Sequence, residues 1–557
     1  MAKINITLII YLLGIFNNFF IVKTNPIVKT LSGKIKGYYQ KSFKGREFKS
    51  FEGIPYAEPP VGALRFQPPE NVSPWDGVLL AERPESECLQ HSHRIQIGQD
   101  IVHGSEDCLY LNIYVPTDDD NSTKLLPVLF YIHSGAFQFG NGHENRPEYL
   151  MDRKVVYVTI NYRLGMLGFL STGDDVVPGN MGLKDQNLAL RWISDNIKFF
   201  GGDSEKITLV GLSAGAASVH YHYLSPLSRG LFHGGISLSG TALDCWTQTG
   251  NSEEKTKKLA DILGCPTHNT KRMIKCLMTR PAKSIVQLLR KFMPWLYNPY
   301  TPFGPVVEKN SSKPFIDRSP IDIIASGDAA NVPWLTSVTS EEGLYPGAEF
   351  VTHEKLMTEL NENWDEIAPH LLDYNYTIPK SKQSEVSNKI KKHYLGDEKI
   401  GNDTVKPLIQ LIGDRLYVVD AVKAAKMMAK TNSVWFYLYS HRGQYSLSDL
   451  FTTAKQNLGA SHADDNMLIV YSPTKIFNAT DIIVQNVLLD IWESFATTGV
   501  PDAGSQWLKV DELSDAIDYL QIAGPNNVTM KKNSNLGDGK FWQSIDFNEN
   551  KISSNFS

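Results

Sequence analysis

The sequence predicts an α/β fold built on one large, mostly parallel sheet with helices on both faces. Three observations predict it. Apolar runs recur at 126–135 (LPVLFYIHSG), 155–165 (VVYVTINYRLG), 206–215 (KITLVGLSAG) and 234–243 (GGISLSGTAL). They are uniformly apolar rather than alternating, which is the pattern of strands covered on both faces. Between the second and third, LKDQNLALRWISDNIKFFGG (183–202) carries Leu188, Trp192, Ile193 and Ile197 at helical spacing and stops at Gly201. A further helix is expected from Ala214, giving the strand–helix alternation of a parallel sheet.

The other elements follow in chain order. Residues 1–22, MAKINITLIIYLLGIFNNFFIV, have an early Lys3, an apolar run over 6–16 and Lys23 just beyond, the shape of a secretory signal peptide. Asn17 and Asn18 stand where a cleavage site usually has small residues. An uncleaved anchor is the alternative, but the apolar run is shorter than the ~20 residues that span a bilayer. Cleavage, export and no stable membrane association afterwards are therefore expected. Residues 27–40, IVKTLSGKIKGYYQ, read as a hairpin of two short strands about a Ser-Gly turn. Beyond residue 250, charged helical segments dominate, such as 252–263 and 381–395, broken by apolar strands such as 433–440 (SVWFYLYS). No repeat and no Pro/Gly/Ser linker divides the chain, so residues 23–550 read as one domain and 551–557 as a tail.

Composition narrows the class. The 557 residues are 42% hydrophobic and 21% charged, as in soluble globular proteins. A net charge of −5 over this length leaves no nucleic-acid or acidic-membrane footprint. N-x-S/T sequons at Asn71, Asn121, Asn310, Asn375, Asn402, Asn478, Asn527 and Asn555 agree with export, as candidate glycosylation sites. The cysteines are Cys88, Cys108, Cys245, Cys265 and Cys276, too few for a disulfide scaffold and without metal-ligand spacing. In an oxidising compartment two local bridges are plausible, Cys88–Cys108 and Cys265–Cys276, leaving Cys245 free.

Four segments carry chemistry. Gly211-Leu212-Ser213-Ala214-Gly215 follows a strand and precedes a helix, the context in which G-x-S-x-G lifts a serine hydroxyl clear of a sheet. The glycines are required because a tight turn crowds neighbouring Cβ atoms, and the turn puts the Ala214 amide at a helix N-terminus. A serine hydroxyl needs a base. Gly459-Ala460-Ser461-His462-Ala463-Asp464-Asp465 offers His462, and Thr339-Ser340-Glu341-Glu342-Gly343 offers Glu342. Ser, Glu, His is the chain order of the α/β-hydrolase triad. His133-Ser134-Gly135-Ala136-Phe137 follows the first apolar run, and its small residues let backbone amides reach a developing oxyanion.

With these motifs in place, EDCLYLNIYVP (106–116), GNMGLKDQNLALRWISDNIKFFGGD (179–203) and SFEGIPYAEPPVGALRF (50–66) resemble the type-B carboxylesterase and cholinesterase family, closest in character to secreted insect carboxylesterases. The resemblance runs from about residue 27 to the His462 loop and on to about 545. It implies a single α/β-hydrolase domain in which Ser213 is the nucleophile, His462 the base and Glu342 the acid. Gly135, Ala136 and Ala214 would supply the oxyanion amides. The two cysteine pairs match family disulfides, and Arg65 with Glu106 matches a structural ion pair.

The implied activity is a secreted serine carboxylesterase of broad specificity, working through an acyl-enzyme on small-molecule esters, with no metal and no organic cofactor. Juvenile hormone esterase is one alternative, and a non-catalytic cholinesterase-like adhesion or sequestration protein is another. Leu212 departs from the Glu common in the family and from the Gln typical of juvenile hormone esterases. Ala136 is expected to narrow the acyl side of the pocket. Residues 89–107 contain no aromatic residue, so a choline ester has no obvious seat.

Other residues have plainer readings. His220 and His222 lie two apart on a predicted helix and point to different sides, which argues against a shared metal. Asp464 and Asp465 read as loop-ordering carboxylates rather than as the triad acid. Ser239 reads either as a hydroxyl near the triad or as a satisfied strand-end serine. Trp295, Tyr297 and Tyr300 read as acyl-pocket lining or core, and Cys245 as a buried thiol.

Overall fold

The computed structural model describes residues 24–92, 102–117, 124–452, 457–472 and 474–553. The expected signal peptide, Asn121 and Asn555 lie outside them. Eleven strands form one sheet. On one side β1 (Tyr38–Lys41), β2 (Glu47–Pro55) and β3 (Tyr110–Pro116) are antiparallel to their neighbours. The centre is parallel: β4 (Leu126–Ile132), β5 (Val156–Ile160), β6 (Gly202–Leu212), β7 (Gly234–Leu238), β8 (Trp334–Thr339), β9 (Val434–Tyr439) and β10 (Ile517–Gly524). β11 (Asn527–Asn533) closes the far edge antiparallel to β10. The spatial order is β11-β10-β9-β8-β7-β6-β4-β5-β3-β2-β1.

The uniformly apolar strands have the reason expected of them. In β4, Val128, Phe130 and Ile132 pack into one core while Leu129 and Tyr131 pack into the other. β6 does the same, with Ile207 and Leu209 on one face and Val210 and Leu212 on the opposite face. The helices Met181–Asn196 and Ala214–Leu224 cover the first face, and Ala479–Thr498 covers the second through Leu488, Ile491, Trp492 and Phe495. Each large apolar side chain so buried contributes about 1.5–3 kcal/mol.

The long helix continues as a 3₁₀ turn, Ile197–Phe200, and ends where Gly201 takes φ 94°. The charged segments form the helices Ser252–Ile262 and Lys380–Leu395, inserted between strands of the one sheet. The hairpin needs correcting. Ile27–Lys29 and Lys34–Lys36 do pair antiparallel, but residues 38–40 leave them to form β1. The hairpin instead joins Val78–Leu80 in a separate small sheet.

Cys88 is bonded to Cys108 and Cys265 to Cys276, while Cys245 is a buried thiol. The Arg65 guanidinium meets both carboxylate oxygens of Glu106 at 2.6 Å and donates to the Met278 and Arg280 carbonyls, tying the two disulfide regions together. Asn71, Asn310, Asn402, Asn478 and Asn527 are exposed, and Asn375 is half-buried. The expected tail begins packed: Ser553 donates from its N–H and hydroxyl to Asp322. Among the described residues, no helix is long and apolar enough to cross a membrane.

The connections position the site. β4 lies between β5 and β6, so the chain leaves the end of β4 toward one side and returns on the other. Such a reversal opens a crevice at the carboxyl ends of the strands. The segments after β4, β6 and β8 carry Gly135, Ser213 and Glu342.

Candidate active site

Ser213 sits between β6 and the helix Ala214–Leu224 at φ 57°, ψ −120°. For a residue with a Cβ this is sparsely populated backbone, costing about 1–3 kcal/mol unless its surroundings hold it. They do. The Ser213 amide donates to the Leu238 carbonyl at 2.8 Å, and its carbonyl accepts from Ala217 at 2.9 Å. The flanking glycines are sterically obligatory. A Cβ on Gly211 would lie 2.3 Å from the Gly215 carbonyl carbon, and one on Gly215 would lie 2.0 Å from the Ile132 oxygen.

After β4 the backbone enters the left-handed region at three consecutive residues, Gly135 (φ 113°), Ala136 (φ 52°) and Phe137 (φ 60°). A Cβ on Gly135 would lie 1.8 Å from the Phe139 carbonyl oxygen. The Gly135 carbonyl accepts from the Gln138 and Phe139 amides, at 2.8 and 3.0 Å. Because a trans peptide points its N–H opposite its C=O, the Ala136 N–H is turned away from them. His133 orients the preceding peptide in the same manner, donating from Nδ1 to the Ser134 carbonyl at 2.7 Å. A carbonyl only accepts, so the proton is on Nδ1. Burial pushes the His133 pKa down to about 4 and keeps the ring neutral, stacked on Tyr162 at 4.3 Å. Among the described residues, the amides of Gly135, Ala136 and Ala214 have no hydrogen-bond acceptor. His133 was quoted in its motif, but nothing in the sequence indicated that its ring orients a peptide.

His462 is buried, and its Nδ1 donates to Glu342 Oε2 at 2.6 Å. The other oxygen, Oε1, accepts from the Thr339 amide at 2.7 Å and from the Ser239 hydroxyl. Ser239 therefore puts its hydroxyl on the carboxylate that holds His462, in line with the first of its two readings. With Nδ1 bound to Glu342, the Nε2 lone pair is the one left for proton transfer. Gly343 is required next to Glu342, because a Cβ there would lie 1.9 Å from the Ile409 oxygen. Tyr345 and Tyr417 flank the imidazole, with ring centroids 5.7 and 4.6 Å away.

The loop bearing His462 is held by carboxylates at three successive residues. Glu341 accepts from the Ala460 amide at 2.8 Å, Asp464 from the Ser461 amide at 2.9 Å, and Glu342 from His462 itself. Asp464 also accepts from the Leu447 amide at 2.8 Å, joining the loop to a neighbouring wall. Asp465 accepts from the Tyr437 hydroxyl at 2.7 Å and from the Asn466 amide at 2.7 Å. Burial raises Asp464 to about 7 and Asp465 to about 6. Neither is hydrogen-bonded or ion-paired to His462. The grip of Glu341 was not anticipated, since nothing in the sequence pairs it with Ala460.

Ser213, His462, Gly135 and Ala136 line one cavity of about 320 Å³, with Leu212, Tyr345, Phe451 and Met467 on its apolar walls and Glu144 and Lys475 among its polar lining. Of the three aromatic residues singled out, Tyr297 lines this cavity. Tyr300 packs behind it against Tyr297 and Tyr345, and Trp295 packs on Phe350. His220 accepts from the Ala242 amide and stacks on Trp334, while His222 bonds Ser228 and Gln186. Among the described residues, no group of His, Cys, Asp and Glu is arranged to hold a metal.

This geometry can now be set beside known proteins. The carboxylesterase family profile matches residues 24–542. The chain belongs to the carboxylesterase family. It is an enzyme that hydrolyses carboxylic ester bonds. The esterase is 48% identical to venom carboxylesterase-6 of Apis mellifera, over 99% of this chain and 100% of the relative. It is 42% identical to esterase FE4 of Myzus persicae, over 87% of each. Among solved structures, juvenile hormone esterase from Manduca sexta, with OTFP covalently attached, superposes at a TM-score of 0.83 and 27% identity. That match covers 93% of this chain and 99% of the other, and makes the fold an α/β-hydrolase fold.

Proposed function

We propose that this esterase works through an acyl-enzyme on Ser213. His462 Nε2 takes the hydroxyl proton as Ser213 Oγ attacks the ester carbonyl. The amides of Gly135, Ala136 and Ala214 stabilise the tetrahedral oxyanion, an effect worth ~100- to 1,000-fold per donor. The imidazolium returns its proton to the departing alcohol, and water repeats the cycle on the acyl group. Glu342 fixes the tautomer and stabilises the imidazolium. The observation that carries the assignment is the Glu342–His462 bond at 2.6 Å beside a cavity that both His462 and the left-handed Ser213 line.

The apolar cavity wall, with Leu212 next to the nucleophile, favours neutral esters of modest size. We further infer a secreted glycoprotein. The apolar leader, the exposed sequons, the two disulfides and the likeness to a venom carboxylesterase support this. A second reading, hydrolysis of juvenile hormone, draws on the likeness to juvenile hormone esterases, including 35% identity to that of Tribolium castaneum over 86% of this chain.

The decisive experiment is organophosphate labelling followed by peptide mapping. One label, on Ser213, is expected. Labelling of another residue, or none in folded protein, would sink the assignment. Turnover across an ester panel varied in acyl and alcohol size, juvenile hormone included, then separates the two substrate readings.

A further inference from the structure

A second cavity, of about 310 Å³, backs onto the first. Pro294, Pro299 and Thr301 line the second cavity, whereas Tyr297, lying between them in sequence, lines the first. Thr301 Oγ1 also donates to the Ala136 carbonyl at 3.2 Å, so the shared wall extends to the oxyanion loop. The volume falls at the small end of the ~300–1,000 Å³ range of small-molecule sites.

Four charged side chains on its lining have no hydrogen-bond or ion-pair partner among the described residues; Glu254 and Lys291 are exposed to water, whereas Lys255 and Asp373 are drawn inward. Asp373 is 5% exposed, and its carboxylate accepts no hydrogen bond among the described residues. Lys255, half-buried near the start of the helix Ser252–Ile262, has no acceptor within reach of Nζ among the described residues. Two other nearby lysines are already engaged. Lys257 pairs with Glu253 at 2.6 Å, and Lys258 donates to the Lys291 carbonyl and lies over the Phe292 ring. Burial pushes Asp373 up to about 7, against the positive charges of Lys255 and Arg415, and the Lys255 ammonium down to about 8, against Asp373. Phe292, Pro294, Pro299 and the ring of Tyr376 add apolar wall. The Tyr376 hydroxyl is engaged by the Cys245 and Gln248 carbonyls.

A charge held out of water without a partner is costly, most of all at the buried Asp373, and a complementary charge relieves it. A lone anion would answer Lys255 and leave Asp373 unpaired; a lone cation would do the reverse. We propose that this cavity binds a small zwitterion with an apolar body, of the amino-acid type, its ammonium on Asp373 and its carboxylate on Lys255.

Calorimetric titration of the full-length protein with leucine and phenylalanine tests this. Phenylalaninamide serves as the cation-only control and 3-phenylpropanoate as the anion-only control. Saturable binding of the amino acids is expected, with both controls weaker by about tenfold or more. Asp373→Asn and Lys255→Met should each weaken amino-acid binding by a similar factor. Asparagine tolerates the φ of 50° at this position, and unaltered ester turnover in both variants would report an intact fold. No saturable heat with either amino acid would overturn the proposal. So would binding that survives both substitutions, or 3-phenylpropanoate binding as tightly as phenylalanine. The readout is heat of binding rather than hydrolysis, so its failure is distinct from failure of the Ser213 mechanism.

Discussion

Ser213 is held by backbone, its own turn and the Leu238 carbonyl of the neighbouring strand, whereas His462 is held by side chains, two of them about 120 positions away in the chain. The serine turn needs two flanking glycines, a strand before it and a helix after it, all within a few residues. Among the described residues, 457–460 ahead of the histidine form no regular element. Glu341 and Glu342 hold the histidine loop from 119 and 120 positions away, and Asp464 holds it from within. Ser213 is thus fixed by excluded volume and His462 by charge-assisted hydrogen bonds. Substitutions at the first should cost the fold, and those at the second should cost the chemistry.

The largest expected effect is at the serine turn. Gly215→Ala puts a Cβ 2.0 Å from the Ile132 backbone oxygen, which no flexible side chain can relieve. We expect little soluble, folded protein, read by yield and circular dichroism. A folded Gly215→Ala variant with ordinary melting would break the comparison.

Glu342→Gln is next. The amide preserves the shape but disturbs the tautomer of His462, and a loss in kcat of about 10⁴-fold with near wild-type melting is expected. A loss below about tenfold would mean that Glu342 does not orient the base.

Glu341→Ala sharpens the comparison further. It removes the acceptor of the Ala460 amide while leaving the Glu342–His462 bond intact. Loss of a charge-assisted bond of about 1.5–3 kcal/mol predicts a moderate fall in kcat, smaller than that of Glu342→Gln. Wild-type kcat in a folded variant would show that Glu342 and Asp464 suffice to hold the loop.

The smallest effect is a pH-dependent one away from both regions. Asp414 accepts from the Tyr394 hydroxyl at 2.9 Å, and burial raises its pKa to about 7. A carboxyl whose folded pKa exceeds its unfolded value of ~3.9 contributes stability below the latter and loses it as pH rises through the former. Asp414→Asn should therefore gain on the wild type in melting temperature between pH ~4 and ~7. A constant difference across that range would refute the raised pKa.

Much of this was legible without coordinates. The parallel sheet could be read because strands covered on both faces have no polar alternation. The Ser213 turn could be read because its stereochemistry is local. The 27–40 hairpin was only half right, since nothing within those residues says that Tyr38 turns away to pair with Ser50. The side-chain roles of His133 and Glu341 were not legible even though both lie in chemical motifs, because a lone His or Glu near a strand end has many uses. Lys255 and Asp373 are 118 positions apart and share no motif.

The chain by itself determined the layer architecture, the serine turn and the family, because periodicity, glycine sterics and motif order operate over short distances along the sequence. Only the tertiary structure decided that Glu341 and Glu342 grip the His462 loop, and which tautomer His462 adopts. Those depend on groups brought within 3 Å of each other by folding, and a hydrogen bond across a hundred or more residues leaves no periodic trace in the sequence that forms it.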